Sequence, residues 1–342
     1  MKIGKREVSY SVEPLIIAEI GINHGGSLEL AKKMVLAAAN AGAECVKHQT
    51  HFVEDEMSEE AKFIVPPNDH RSIWEIMDSC ALSKDDEIEL KRYTEELGVI
   101  YISTPFSRSA ADFLAEIGIP AFKIGSGEAD NLPLIRHIAG LGMPVIMSTG
   151  MQSITSMKQS VDILEGQNID YALLECTNLY PSPPEIVSLK GITELRNSFP
   201  GALIGFSDHS IGSEMALASV ALGACIIERH FTDSRYRKGP DISCSMDPLE
   251  LSWLIRYSKE VFIATQNPKS RSKDEESVYK FARSSVVAET DLPAGTKITE
   301  ADIWARRPGN GDIPGYEFGN IVGRKLKASV KKGQQLKYSD LV

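Results

Sequence analysis

Eight short apolar runs set what this 342-residue chain can fold into. They fall at 15–20, 44–48, 99–103, 121–124, 144–148, 171–176, 203–206 and 225–228, and they are rich in Val, Ile and Leu with little polar alternation. Such runs suit parallel strands covered on both faces, because a strand with one wet face alternates. Segments of helical periodicity lie between them, at 28–41, 85–97, 109–117, 132–141, 154–164 and 214–222. Eight strands, each followed by a helix or a helix-length segment, predict an α/β fold of the (β/α)8 TIM-barrel type. An open doubly wound sheet is the alternative, but no GxGxxG turn follows the first run.

Near residue 264 the pattern stops. Residues 265–277 are polar and charged, so a barrel over 1–264 should lead through a linker over 265–280 into a small domain over 281–342. This last stretch holds two similar phrases, Asp291-Leu-Pro-Ala-Gly-Thr-Lys-Ile and Ser329-Val-Lys-Lys-Gly-Gln-Gln-Leu. Each reads as a glycine turn leading into a strand.

Charge and composition narrow the function classes. The net charge is −10, which argues against a general nucleic-acid surface, so an anionic substrate would need a local positive pocket. No apolar run reaches the roughly 18 residues that a membrane span needs. The charged first six residues lead into no apolar h-region, so the expectation is a cytoplasmic protein. Five cysteines, an odd number with no CxxC pair, read as buried reduced thiols.

Polar groups cluster where the strands end. Glu19 and Asn23-His24 follow the first, Lys47 to His51 the second, and Ser103-Thr104 the third. Then come Lys123 with Ser126 and Glu128, Ser148-Thr149, Thr177 to Tyr180, Ser207-Asp208-His209, and Glu228-Arg229-His230. In a TIM barrel these positions surround one pocket. Lys47 and Lys123, with the hydroxyls of Thr104, Ser126, Ser148 and Ser207 and the amide of Asn178, suit a phosphate and a carboxylate on one small molecule. Any one of these hydroxyls could instead cap a helix. His209 and His230 end neighbouring strands and can converge on one divalent metal, with Glu19 placed to hold a metal-bound water. His24, His48 and His51 lie close by, with structural and catalytic roles both open, whereas His70 and His137 stand outside the strand ends.

Read together, Glu19-Ile-Gly-Ile-Asn-His24, Lys47-His-Gln-Thr-His51, Ser103-Thr-Pro-Phe106, Lys123-Ile-Gly-Ser-Gly-Glu128, Ser148-Thr-Gly-Met151, Ser207-Asp-His209, Glu228-Arg-His-Phe-Thr232 and Gly239-Pro-Asp241 resemble the sialic acid synthase family. Arg306-Arg-Pro-Gly-Asn-Gly311 resembles the loop of that family's C-terminal antifreeze-like (SAF) domain. The resemblance covers nearly the whole chain and keeps motif order. It implies that Lys47, Thr104, Lys123, Ser126, Ser148, Asn178 and Ser207 hold phosphoenolpyruvate. His209 and His230 would bind Mn(II), with Mg(II) or Co(II) as alternatives. Gln49, Glu128, Tyr180 and Asp241 would contact an N-acetylated hexosamine, joined in a domain-swapped homodimer by Arg307 and Phe281 of the partner. Glu19, Glu128, His209 and His230 are the catalytic candidates. The implied reaction joins phosphoenolpyruvate, N-acetylmannosamine and water into N-acetylneuraminate and phosphate. The run Ala129-Asp130-Asn131-Leu132 and the pairs Glu175-Cys176 and Pro183-Pro184 lean toward legionaminate synthases, which use a 2,4-diacetamido-2,4,6-trideoxymannose. A Schiff-base aldolase using Lys123 and a non-catalytic sugar-binding protein are the readings from other classes.

Overall fold

The computed structural model describes residues 1–66 and 70–342, which divide into two compact units, Met1–Asn267 and Pro268–Val342. In the first, eight parallel strands close into a barrel: β1 Leu15–Gly21, β2 Cys45–Thr50, β3 Ile100–Pro105, β4 Phe122–Ile124, β5 Val145–Ser148, β6 Tyr171–Cys176, β7 Leu203–Asp208 and β8 Ile226–His230. Strand β8 pairs with β1, Ile226 opposite Leu15 and His230 opposite Glu19, so no edge is left unpaired. The TIM barrel read from the sequence is the fold.

Period-two alternation decides what each strand shows to the lumen. Leu15, Ile17, Cys45, Ile102, Ala121, Ile146, Ala172, Leu174 and Ile226 form one fully enclosed cluster inside the barrel. Their neighbours Ile16, Ala18, Val46, Phe122, Met147, Leu173 and Ile227 pack outward against the helices. Two residues further along each inward series stand Glu19, Lys47, Thr104, Lys123, Ser148 and Glu228. The polar groups are therefore the upper continuation of the inner apolar layer. Several strands also run longer than the apolar runs, β2 to Thr50, β7 to Asp208 and β8 to His230. Ladder pairing carries the backbone past the point where hydrophobicity ends.

The lower end is closed by a short hairpin, Lys2–Ile3 against Arg6–Glu7, that the sequence reading left out. Its turn uses Gly4 at φ 58°, a backbone that glycine adopts without strain. Ile3 and Val8 are buried in the inner cluster, so the barrel lumen is plugged from below.

Serines start many of the surrounding helices. Ser27, Ser83, Ser107, Ser153 and Ser188 each accept a hydrogen bond from a backbone N–H of the first turn. The helix-capping serines are thus a different set from Ser126, Ser148 and Ser207. Helices Ile73–Cys80, Leu189–Ser198 and Pro248–Thr265 add to those named from periodicity.

The second unit is a small β-rich fold around Val286, Ala288, Leu292, Ile298, Ile303, Ile313, Ile321, Leu326, Val330, Leu336 and Leu341. The two similar phrases pair with each other, since Leu292 and Val330 exchange backbone hydrogen bonds of 2.8 and 2.9 Å. Their equivalent glycines, Gly295 and Gly333, both take positive φ, and the equivalent Ile298 and Leu336 are both buried. The stretch expected as a linker is partly helical. Ser272 caps a turn over Lys273–Glu275 that runs into helix Glu276–Ala282. Among the described residues, no helix is long and apolar enough to cross a membrane.

Candidate active site

A cavity of about 250 Å³ opens at the upper end of the barrel. Lys47, Gln49, Thr104, Lys123, Ser126, Ser148, Asn178, Tyr180, Ser207, His209, His230 and Asp241 all line it. Every strand contributes a residue to this wall or directly beneath it. Glu19 lies beneath, bonded to Lys47 and to Gln49, whose Nε2–H donates to Glu19 Oε1 at 3.1 Å. Glu128 lines a neighbouring cavity and accepts from Asn131 at 2.6 Å. Phe281 and Arg307 belong to the second unit, the first on helix Glu276–Ala282 and the second just after strand Ile303–Arg306, both exposed.

The two lysines share one carboxylate that sequence reasoning gave no role. Glu228 Oε1 stands 3.8 Å from Lys47 Nζ and 3.6 Å from Lys123 Nζ. Lys47 also donates to Thr104 at 3.1 Å, and Lys123 to Ser148 at 2.7 Å. The signal for Glu228 was there, because it precedes His230 by two on β8 and so shares the inward face. All four ionisable groups are buried. Burial drives Glu19 up to about 7, with Lys47 holding it back and Glu228 adding to the rise. Burial works against Glu228 too, but Lys123 and Lys47 outweigh it and leave this carboxyl below its usual value. Burial alone would lower Lys47, yet Glu19 and Glu228 reverse that and it ends raised. Lys123, with fewer carboxylates near it, ends lowered by burial. The result is a polar pocket with two clamped cations, suited to a small dianion.

His209 and His230 face each other with ring centroids 5.3 Å apart, and Tyr180 stacks over His209 at 4.2 Å. His209 Nδ1–H donates to the Thr177 carbonyl at 2.8 Å, which leaves Nε2 with its lone pair. His230 Nδ1 is buried without a hydrogen-bond partner and lies 3.7 Å from Asp241 Oδ2. Burial pushes the two imidazoles down to about 4 and about 3, so both are neutral near pH 7, the form that ligates metal. These donors fit a divalent cation held by two histidines. Among the described residues, no group of three or more His, Cys, Asp or Glu side chains forms a further metal cage.

The remaining histidines resolve into distinct settings. His24 Nδ1 accepts from Gly26 N–H at 3.2 Å, so its Nε2–H donates to His48 Nε2 at 3.0 Å. His48 Nδ1–H then faces Glu87, which also accepts from Tyr101 at 2.9 Å. This buried chain ties β2 and β3 to helix Lys84–Glu96, a structural task. His137 bonds Asp112 at 2.6 Å on the outer surface. All five cysteines are buried.

Comparison with known proteins matches this geometry to a family. The NeuB family matches residues 34–270, and the SAF domain family matches residues 283–342. An N-acetylneuraminate-9-phosphate synthase of Homo sapiens is 36% identical over 93% of this chain and 89% of its own length. An N,N'-diacetyllegionaminic acid synthase of Campylobacter jejuni is 34% identical over 94% of this chain and 98% of its own. Among solved structures, an N-acetylneuraminic acid synthetase of Leptospira borgpetersenii in complex with citrate superposes with a TM-score of 0.74. It is 29% identical over 81% of this chain and 94% of its own.

Proposed function

The chain belongs to the NeuB family of sialic acid-type synthases, and from that premise we propose that it condenses phosphoenolpyruvate with N-acetylmannosamine and water to give N-acetylneuraminate and phosphate. The observation that carries this reading is the buried pair Lys47 and Lys123, spaced by Glu228 and ringed by Thr104, Ser126, Ser148, Asn178 and Ser207. Two ammonium groups with neutral donors between them match a molecule that has a carboxylate at one end and a phosphate at the other. Phosphoenolpyruvate enters by displacing Glu228 from between the cations.

The sugar sits above, against Gln49, Tyr180 and Asp241, with Glu128 at its side. The methylene carbon of phosphoenolpyruvate attacks the open-chain aldehyde, forming the new carbon–carbon bond. Glu128, kept protonated more readily by burial, gives its proton to the alkoxide so formed. Water adds to the cationic carbon that results, losing a proton beside Glu19. Phosphate then leaves by carbon–oxygen cleavage, its charge held by the lysines. His209 and His230 would hold a divalent ion, Mn(II) or else Mg(II) or Co(II), which when bound supplies Lewis-acid polarisation of the aldehyde. Dialysis against chelator should abolish phosphate release and Mn(II) should restore it; unchanged turnover in metal-free protein would remove the ion from the mechanism.

A second acceptor deserves test, because Glu128 is followed by the run Ala129-Asp130-Asn131 and Asn131 bonds Glu128 directly. That acceptor is the 2,4-diacetamido-2,4,6-trideoxymannose of legionaminate synthesis. Mass spectrometry of products from a panel of acetylated hexosamines decides between them. Phosphate release with N-acetylmannosamine alone supports the first reading, and release only with the diacetamido sugar replaces it with the second.

A further inference from the structure

His51 lies near the pocket with hydrogen bonds that run toward the reacting groups. Its Nε2 lies 3.2 Å from Gln49 Oε1 and its Nδ1 lies 2.8 Å from Glu56 Oε2, with both His51 and Glu56 nearly enclosed. The ring also stacks on Phe106, centroids 4.4 Å apart and planes within 13°. Phe106 lines both the reaction cavity and the neighbouring one, and Glu56 lines the latter. Glu56, His51 and Phe106 thus stand together where the two cavities adjoin.

Donor and acceptor logic fixes the protons along this chain. Gln49 gives an N–H to Glu19, so its amide oxygen must be the atom that faces His51. An oxygen accepts, hence His51 Nε2 carries a hydrogen. On the other side Nδ1 meets a carboxylate oxygen, and a proton must lie between them, on the ring or on the acid. Were Glu56 absent, nothing would hold that second proton, and the neutral ring could carry its one hydrogen on Nδ1, present a lone pair to Gln49, and let the amide turn over. A reversed amide would aim an oxygen at Glu19, which that carboxylate would repel.

We infer that Glu56 and His51 are positioning residues that lock the direction of the Gln49 amide, and through it the hydrogen bond to Glu19 and the face shown to the sugar. This rests on the sugar-binding reading of Gln49, while the tautomer itself does not. Two measurements on the full chain therefore test it separately. Long-range nitrogen–proton NMR of imidazole-labelled protein reads the ring directly. Nε2 of His51 should show the shift of a protonated nitrogen in the wild type and in Glu56→Gln, whose amide can donate to Nδ1. A lone-pair shift at Nε2 in the wild type overturns the inference whatever the enzyme makes.

Phosphate-release kinetics reads the consequence. His51→Phe keeps the stack on Phe106 but loses both hydrogen bonds, and should raise KM for the sugar about tenfold with KM for phosphoenolpyruvate within about twofold. Glu56→Gln should stay near wild type, whereas Glu56→Ala should resemble His51→Phe. The double variant Gln49→Ala with His51→Phe should be no worse than Gln49→Ala alone, because His51 acts through that amide. Independent, multiplying losses in the double variant, or equal rises in both KM values, would show that His51 only supports the fold. If no panel sugar releases phosphate with the wild type, the functional reading fails and the NMR result alone decides the inference.

Discussion

Lys47 and Lys123 share Glu228 yet stand in different surroundings. Lys47 separates two buried carboxylates, Glu19 and Glu228, while Lys123 faces Glu228 and the Ser148 hydroxyl. Replacing either by Met should weaken phosphoenolpyruvate by at least ~2 kcal/mol in calorimetric titration, the loss of a charge-assisted contact. Stability should respond unequally. Lys47→Met strands Glu19 without its nearest cation and leaves Glu228 with Lys123 alone, and should cost roughly 3 kcal/mol, with Lys123→Met costing clearly less in denaturant melts. Equal losses would mean that Glu19 is held by something other than Lys47. Both lysines were legible in the sequence because each ends an apolar run. Glu228 was not singled out, since one more acid in Glu-Arg-His carries no mark of its own until the barrel closes and shows which cations it meets.

At the scale of elements, strands were easier to read than the segments that cover them. All eight runs are strands because a parallel sheet buried on both faces writes itself as plain hydrophobicity. Helix Leu189–Ser198 does not stand out in the periodicity, because Pro181, Pro183 and Pro184 stand just before it and Gly191 lies in its first turn. The glycine answers a packing need. A Cβ there would lie 2.4 Å from Glu175 Oε2, which projects from β6 into the helix. Burial pushes Glu175 up from 4.5 to about 7, with Glu194 adding to the rise. The folded chain therefore holds this proton more tightly than the unfolded one, and between about pH 4.5 and 7 it binds more protons. Stability from this group is present at low pH and is lost as pH rises through that window. Glu175→Gln should leave the melting temperature unchanged near pH 4 and raise it by roughly 2 °C at pH 8. A difference that is flat with pH would show that Glu175 ionises normally.

For the whole molecule, the two units carry opposite charge, +4 over 268–342 and −14 over the remainder. Opposite fields favour encounter between a small basic unit and an acidic barrel. Apolar side chains stand exposed on the loops around the barrel mouth, Phe63 after β2, Met151 after β5, Ile186 after β6, Ile211 after β7 and Tyr236 after β8. Exposed apolar side chains on successive loops at one end of the barrel suit a docking face. On the second unit Phe281, Trp304 and Tyr316 are exposed in turn. Residues 266–272 have neither helix nor strand and could extend about 23 Å at 3.3 Å per residue, enough to offer the small unit to a second subunit. We therefore expect the site to be completed in trans by Arg307, whose guanidinium would donate to oxygens of the sugar. Arg307→Ala and His209→Ala chains should each be inactive. Mixed under conditions that exchange subunits, they should regain part of the wild-type rate, because one site of each heterodimer then has both residues intact. A chain ending before Phe281 should keep the barrel fold by circular dichroism and lose sugar turnover. No recovery on mixing, with exchange confirmed by mass-tagged subunits, would assign Arg307 to its own chain's site or to none.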